Sequence, residues 1–171
     1  MQLRLLSLFS GIGAFEKALA LNGMDYELVN YCEIDKYAAK AYSLIHNVPE
    51  DLNLKDVTKV DTSKLHNIDM VTYAFPCQDI SCAGKRQGFV DGNGNRTRSG
   101  LFFEALRIIK DTQPKYAIAE NVKNLVSKKF RTEFETVISE LDKVGYVSYY
   151  DVLNAKDYGI PQNRESIHCI Y

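Results

Sequence analysis

Apolar positions along the chain come in short runs of strand length that alternate with longer stretches of helical periodicity. Leu3–Leu8 is such a run, closed by Phe9-Ser10-Gly11-Ile12-Gly13, after which Ala14–Leu21 reads as a helix stopped near Gly23. A second strand, Tyr26–Cys32, leads through Glu33 to Asp35, whose short acidic side chain suits the N-cap of an alanine-rich helix over Lys36–His46. Residues 68–75 give a buried strand broken by Pro76, residues 101–109 a helix behind a Ser99 cap, and residues 116–119 another strand. Thr132-x-x-Glu135 matches a capping box ahead of Phe134, Val137, Ile138, Leu141 and Val144, which share one helical face up to Gly145. Strands over 147–153 and 167–171 complete the pattern. Strands alternating with helices predict an α/β fold with a mainly parallel sheet covered on both faces. No internal repeat or low-complexity segment interrupts it, and residues 1–171 read as one domain.

Composition narrows the setting. With 171 residues, 46% hydrophobic and 25% charged, the chain can bury a sizeable core without metals or disulfides. Cys32, Cys77, Cys82 and Cys169 form no C-x-x-C pair, so neither a disulfide framework nor a structural zinc site is expected, and a reducing cytoplasm is the expected compartment. No apolar run approaches the roughly 18 residues of a membrane span, and Arg4 and Ser7 interrupt the first one, so neither a membrane partner nor a signal peptide is expected. A net charge of -1 excludes a globally basic nucleic-acid coat but leaves room for local basic surfaces. Residues 84–98 carry four glycines and four basic residues against one acid, and read as a mobile functional loop.

Three groups of residues could carry chemistry. Gly11-x-Gly13 at the exit of the first strand allows close backbone approach to a ligand, with Glu33 at the end of the next strand at the spacing of a ribose-binding carboxylate. Glu16 stands where a third glycine would favour pyrophosphate. A carboxylate there favours a cationic or phosphate-free adenosine ligand such as S-adenosylmethionine, although a plain strand-turn-helix accounts equally for these residues. Phe75-Pro76-Cys77-Gln78 puts a thiol at the end of a central strand, where Lys85 and Arg86 would favour the thiolate, whereas Cys32 and Cys169 read as buried and inert. Glu120-Asn121-Val122 ends another strand, and a glutamate there is partly desolvated and suited to sharing a proton with a heteroaromatic base. Lys85, Arg86, Arg96 and Arg98, then Lys123, Lys128, Lys129 and Arg131, follow these two motifs and would offer phosphate a basic face.

Taken together and in order, these motifs closely resemble the N-terminal part of bacterial and phage DNA (cytosine-5)-methyltransferases. The resemblance implies a Rossmann-like, S-adenosylmethionine-dependent methyltransferase fold whose last strand is antiparallel. It implies S-adenosylmethionine as cofactor, no metal, and double-stranded DNA as partner. It assigns the cofactor to Phe9, Ser10, Gly11, Ile12, Gly13, Glu33, Ile34, Asp56, Pro76 and Leu101, and catalysis to Cys77, Glu120 and the Arg164 of Tyr158-Gly159-Ile160-Pro161-Gln162-Asn163-Arg164. Gln78, Ser81, Lys85, Arg86, Arg96 and Arg98 are the expected DNA contacts. The implied chemistry is addition of the Cys77 thiolate to carbon 6 of a flipped cytosine, with Glu120 at N3, so that carbon 5 can take a methyl group.

Two features depart from the family pattern. Ser166 stands where a second arginine is usual, and the sequence ends at Tyr171, before the target-recognition domain that family members carry. The expectation is therefore a catalytic half that works with a second polypeptide bearing the recognition domain, or that self-associates. A catalytically silent relative acting as a binding protein is the alternative, favoured by Ser166 and opposed by Cys77, Gln78, Glu120 and Asn121. Methylation of RNA or a small molecule is a third and weaker reading.

Overall fold

The computed structural model describes residues 2–81 and 87–171. They form a mixed α/β fold that divides into two compact units, residues 1–74 with 107–117 and residues 75–106 with 118–171.

The first unit is built on β1 (Leu3–Leu8), which pairs in parallel with β2 (Tyr26–Cys32) on one side and β3 (Met70–Tyr73) on the other. Leu5, Leu6 and Leu8 are almost wholly buried, as expected of a central parallel strand covered on both faces. Leu8 is level with both Cys32 and Tyr73, so the three strands finish together at one edge. Between β1 and β2 lies α1 (Ala14–Leu21), and after β2 comes α2 (Lys36–His46). The Asp35 cap forms as expected, its carboxylate accepting from the amides of Tyr37 at 2.9 Å and Ala38 at 2.8 Å. Tyr31 and Tyr42 stack with ring centroids 4.0 Å apart and, with Ala39, join α2 to β2. Three short 3₁₀ turns, Glu50–Leu52, Val57–Lys59 and Thr62–Lys64, fill the connection to β3.

Two elements pass from one unit to the other, α3 (Phe102–Thr112) and β4 (Tyr116–Val122). The second unit also holds α4 (Arg131–Lys143), β5 (Tyr149–Asn154) and β6 (Glu165–Ile170). β6 lies between β4 and β5 and is antiparallel to both, so the antiparallel pairing anticipated for the end of the chain takes in β5 as well.

Several local expectations are corrected. Ser99 does not cap a helix; it opens a 3₁₀ turn, Ser99–Leu101, ahead of α3, and its hydroxyl accepts from the Asp79 amide at 3.2 Å. The capping box at Thr132 is not formed. The 3₁₀ turn Lys128–Phe130 runs straight into α4, so Thr132 already lies inside the helix, and Glu135 accepts from Arg131 Nε at 2.7 Å instead. Of the glycine-rich segment, residues 87–98 are a folded hairpin. Thr97 N donates to the Phe89 carbonyl at 3.0 Å and Asp91 N to the Asn95 carbonyl at 2.8 Å, around a bridge between Val90 and Arg96. Cys82, Lys85 and Arg86 lie outside the described residues. No helix among the described residues is long and apolar enough to cross a membrane.

Asp69 ties three segments of the first unit together. Its carboxylate accepts from the Arg4 amide at 3.1 Å and lies 3.3 Å from Lys115 Nζ, while its carbonyl accepts from the Tyr116 amide at 3.1 Å. The Arg4 backbone bond, followed by Lys115, holds the Asp69 carboxyl below the usual carboxylate range. A lowered folded pKa contributes stability above the unfolded value of about 3.9 and loses it as the pH falls through the folded value. Asp69→Asn is therefore expected to lower the thermal midpoint at pH 7, with the gap to the native chain closing as both are melted at successively lower pH below about 4. A gap of constant size down to pH 2 would show that the carboxylate charge is not what stabilises this junction.

Candidate active site

In the first unit the turn after β1 is held by side chains from neighbouring segments. Gly11 and Gly13 adopt left-handed φ values of 55° and 85°, and the Gly13 amide donates to the Ser10 carbonyl at 2.9 Å. Glu33, half-buried at the end of β2, accepts the Gly11 amide on Oε2 at 2.9 Å and the Asp35 amide on Oε1 at 2.8 Å. Asn53 grips the Glu33 backbone from both sides, its Oδ1 accepting from the amide and its Nδ2 donating to the carbonyl, each at 3.0 Å. Asn53 was not singled out from the sequence, because the connection that carries it has no periodicity to betray its fold. Asp56 accepts the Thr58 hydroxyl at 2.7 Å and the Thr58 amide at 3.0 Å, and these bonds hold its carboxyl below the usual range.

The buried thiol of Cys32 reports where these acids sit. Burial pushes it up to about 12, and the charges of Asp56 and then Glu33 push in the same direction, so both carboxylates stand near the end of β2. A cavity of about 160 Å³ opens here, lined by residues that include Glu33, Ile34, Lys36 and Asn53. The residues fit an adenosine-type group. Space is open where Gly11 would carry a Cβ, so a ligand can lie on the backbone, and Ile34 presents a side chain that is 75% exposed beside the Glu33 carboxylate. Glu16 is a correction: it is 1% exposed and accepts the Tyr42 hydroxyl at 2.8 Å, so its charge is turned into the unit and does not screen the turn against phosphate. Pro76 and Leu101, the remaining residues assigned to the cofactor, belong to the second unit, where both are half-buried.

In the second unit the thiol sits on a pinned turn. Cys77 is a free, half-buried cysteine whose carbonyl accepts from the amides of Ile80 at 3.0 Å and Ser81 at 2.7 Å. Buried Asn121 donates Nδ2 to the Phe75 carbonyl at 3.1 Å, two residues before the thiol. Asn124 donates to the Ile80 carbonyl, three residues after it. The Asp79 carboxylate accepts the Ser99 amide at 3.3 Å, reciprocating the Ser99 hydroxyl bond, and both side chains are buried. Phe75 packs against Phe102 and Phe89, with ring centroids 5.6 and 6.0 Å away. The turn is thus anchored on both sides of Cys77, and Asn124, Asp79 and Ser99 are roles that only the folded chain reveals.

Glu120 and Arg164 are brought to one cavity of about 320 Å³, which Ser166, His168, Tyr158 and Asn154 also line. The antiparallel register sets Glu120 directly opposite His168, and the alternation of an extended strand keeps Arg164, Ser166 and His168 on one face. Cys77 is not among the residues lining this cavity; Asn121, next to Glu120, is the link between them. His168 could have been found from the period-two pattern running back to Arg164, but only with the register known.

The basic face is smaller than the charge count implied. Arg96 lies 3.6 Å from Glu104 and over the Phe103 ring at 4.8 Å, Lys123 is 2.8 Å from Glu165, and Arg131 pairs with Glu135. These cations have acids within reach once the chain folds, which a linear count cannot show. Gln78 and Arg98 are exposed and Ser81 is half-buried. Among the described residues no group of three or more metal-ligating side chains is gathered.

Comparison with known proteins places these residues in a wider group. The family model described as "C-5 cytosine-specific DNA methylase" matches residues 3–171. The orphan methyltransferase M.Rho11sI of Bacillus phage rho11s is 46% identical over 169 residues, which cover 99% of this chain and 33% of that protein. The type II methyltransferase M.HhaI of Haemophilus parahaemolyticus is 38% identical, with 98% and 48% covered. Among solved structures, a DNMT2 variant from Spodoptera frugiperda superposes with a TM-score of 0.75 at 26% identity, covering 99% of this chain and 49% of that one. S. pombe Dnmt2 superposes at 0.73 with 23% identity, a likeness of fold. The chain spans between 33% and 60% of the length of the curated relatives compared with it.

Burial separates the thiols. Cys32 and Cys169 are buried and both thiols are pushed up by it, whereas Cys77 is half-exposed. Alkylation of the native protein at pH 8, mapped by peptide mass, is expected to modify Cys77 at least on the order of a hundredfold faster than Cys32 or Cys169. Urea should remove the difference. Comparable native-state rates at Cys32 would contradict the burial argument.

Proposed function

Because the chain belongs to the C-5 cytosine-specific DNA methylase family, we propose that it is the cofactor-binding and catalytic part of a DNA cytosine-5 methyltransferase acting on double-stranded DNA. The observation that carries this reading is the half-buried free thiol of Cys77 on a turn pinned through Asn121, the residue after Glu120. S-adenosylmethionine, when bound, supplies an electrophilic sulfonium methyl group. On this reading Glu33 takes the ribose hydroxyls, for which its carboxylate keeps lone pairs beyond those facing Gly11 and Asp35; Ile34 lies on the adenine, and Asp56 accepts from its amino group. The turn from Phe9 to Gly13 gives its backbone to the rest of the cofactor.

Cytosine carbon 5 is too weak a nucleophile to be methylated unaided. The Cys77 thiolate adds to carbon 6, and the electron pair displaced from the ring double bond raises the density at carbon 5. Glu120 donates a hydrogen bond at N3, offsetting the charge that develops there, and Arg164, on the same cavity, adds a fixed positive charge toward the polar edge of the ring. After methylation a base removes the carbon 5 proton and the thiolate is expelled. Both faces of the ring must be reached, so the cytosine is turned out of the duplex. Gln78, Ser81, Arg96 and Arg98 are assigned to DNA, and a second polypeptide or a further copy of this chain is the proposed partner in sequence recognition. Ser166 on the wall of the cavity supports a second reading, a silent relative that binds but does not methylate.

Two experiments divide these readings. Calorimetric titration with S-adenosylmethionine is expected to show binding that Glu33→Ala weakens about ten- to a hundredfold, the loss of hydrogen bonds to a charged group. Tight binding indifferent to that change would remove Glu33 from the site. DNA containing 5-fluorocytosine, offered together with the recognition region of a relative, is expected to trap a covalent adduct that Cys77→Ser abolishes. If no adduct forms, the silent-relative reading holds.

A further inference from the structure

His46, the last residue of α2, meets the glycine turn in two independent ways. Its Nε2 lies 3.0 Å from the carbonyl oxygen of Ile12, the distance at which a ring N–H donates to a peptide carbonyl. A Cβ built on Gly13, whose φ is +85°, would lie 2.0 Å from the same Nε2. The imidazole therefore occupies the space that a side chain at position 13 would need, and glycine is required there both for its backbone angle and for this contact. The ring is itself held in place. It packs on Tyr42 at a centroid distance of 4.6 Å, and Tyr42 stacks on Tyr31 and donates to the buried carboxylate of Glu16 in the first turn of α1.

Three consecutive residues of the turn are thereby fixed from outside it. The Gly11 amide is held by Glu33, the Ile12 carbonyl by His46, and Gly13 is confined by the Nε2 end of the imidazole. The peptide unit between Ile12 and Gly13 has its N–H held by the Ser10 carbonyl at 2.9 Å and a glycine, with no Cβ to confine it, on its C-terminal side; the His46 bond holds the carbonyl end of the same unit. We infer that His46 is a positioning residue for the cofactor: it locks the turn Gly11-Ile12-Gly13, left-handed at its two glycines, in the shape that presents backbone to S-adenosylmethionine and makes no contact with the ligand itself. The inference rests on the cofactor reading above. Preorganising a loop strengthens binding by removing the ordering cost at the moment of association, so the effect belongs in affinity.

The test uses the 171-residue chain, with S-adenosylmethionine as titrant and amide hydrogen exchange as a second readout. His46→Ala is expected to weaken binding about five- to tenfold, the worth of one net hydrogen bond. It should also speed exchange at residues 11–14 while leaving the amides of β1 and β3 protected. His46→Gln, whose amide can donate to the same carbonyl, should recover most of the affinity. Unchanged affinity and unchanged exchange in His46→Ala would overturn the inference, as would a uniform loss of protection throughout the unit, the mark of a merely structural role. A native chain that binds no S-adenosylmethionine would overturn the cofactor reading, and this inference with it. Binding by the native chain that is indifferent to His46 would overturn this inference alone.

Discussion

Where a parallel strand ends, its last peptide groups lose their ladder partners, and something else must bond them. In this protein polar side chains do so for the segments that follow the strands, and much of the local geometry in each unit follows from that. The Gly11 amide goes to Glu33, the Ile12 carbonyl to His46, the Phe75 carbonyl to Asn121 and the Ile80 carbonyl to Asn124. Leaving a buried peptide group unpaired costs on the order of 1–3 kcal/mol, which bears most directly on the buried bond from Asn121 to the Phe75 carbonyl. In the first unit the level register at Leu8, Cys32 and Tyr73 makes the requirement acute, because three chains leave the sheet at one edge.

The same arrangement divides an accessible thiol from a buried one. Cys32 lies within the last turn of hydrogen bonding of β2, buried and with two carboxylates near it, and its thiol is driven up to about 12. Cys77 lies two residues beyond the Phe75 carbonyl that Asn121 holds, on a turn where the backbone is fixed and the side chain is half-exposed. The attack proposed for this thiol would need an immobile base and an accessible tip. Packing of Phe75 with Phe89 and Phe102 supplies the first without closing off the second.

Much of the fold was legible in the sequence because the patterns concerned are local. β1, α1, β2 and α2 fall at the residues their periodicity indicated, and the Asp35 cap forms as its spacing required. The failures share a cause. Thr132 and Ser99 have the right residue type for caps, but a 3₁₀ turn precedes Thr132 and Ser99 itself opens one, so neither stands at the helix start, and a 3₁₀ turn of three residues leaves no periodic trace. Arg96, Lys123 and Arg131 read as free cations along the chain because the carboxylates that meet them are positioned by folding. Glu16 was misread for a related reason: its place in the glycine motif says nothing of Tyr42, the hydroxyl donor that α2 brings to it.

The sequence by itself determined the strand and helix succession, the thiol, the glutamate and the family to which their motifs point, since these depend on residue type and near-neighbour spacing. The tertiary structure decided which peptide groups those residues serve. That His46 fills the gap at Gly13, that Asn124 and Asn121 bracket Cys77, and that His168 stands opposite Glu120 depend on register and on contacts between distant segments. Such contacts are set by packing of whole elements; on the strands, a shift of a single residue would turn Asn121 and His168 to the other face.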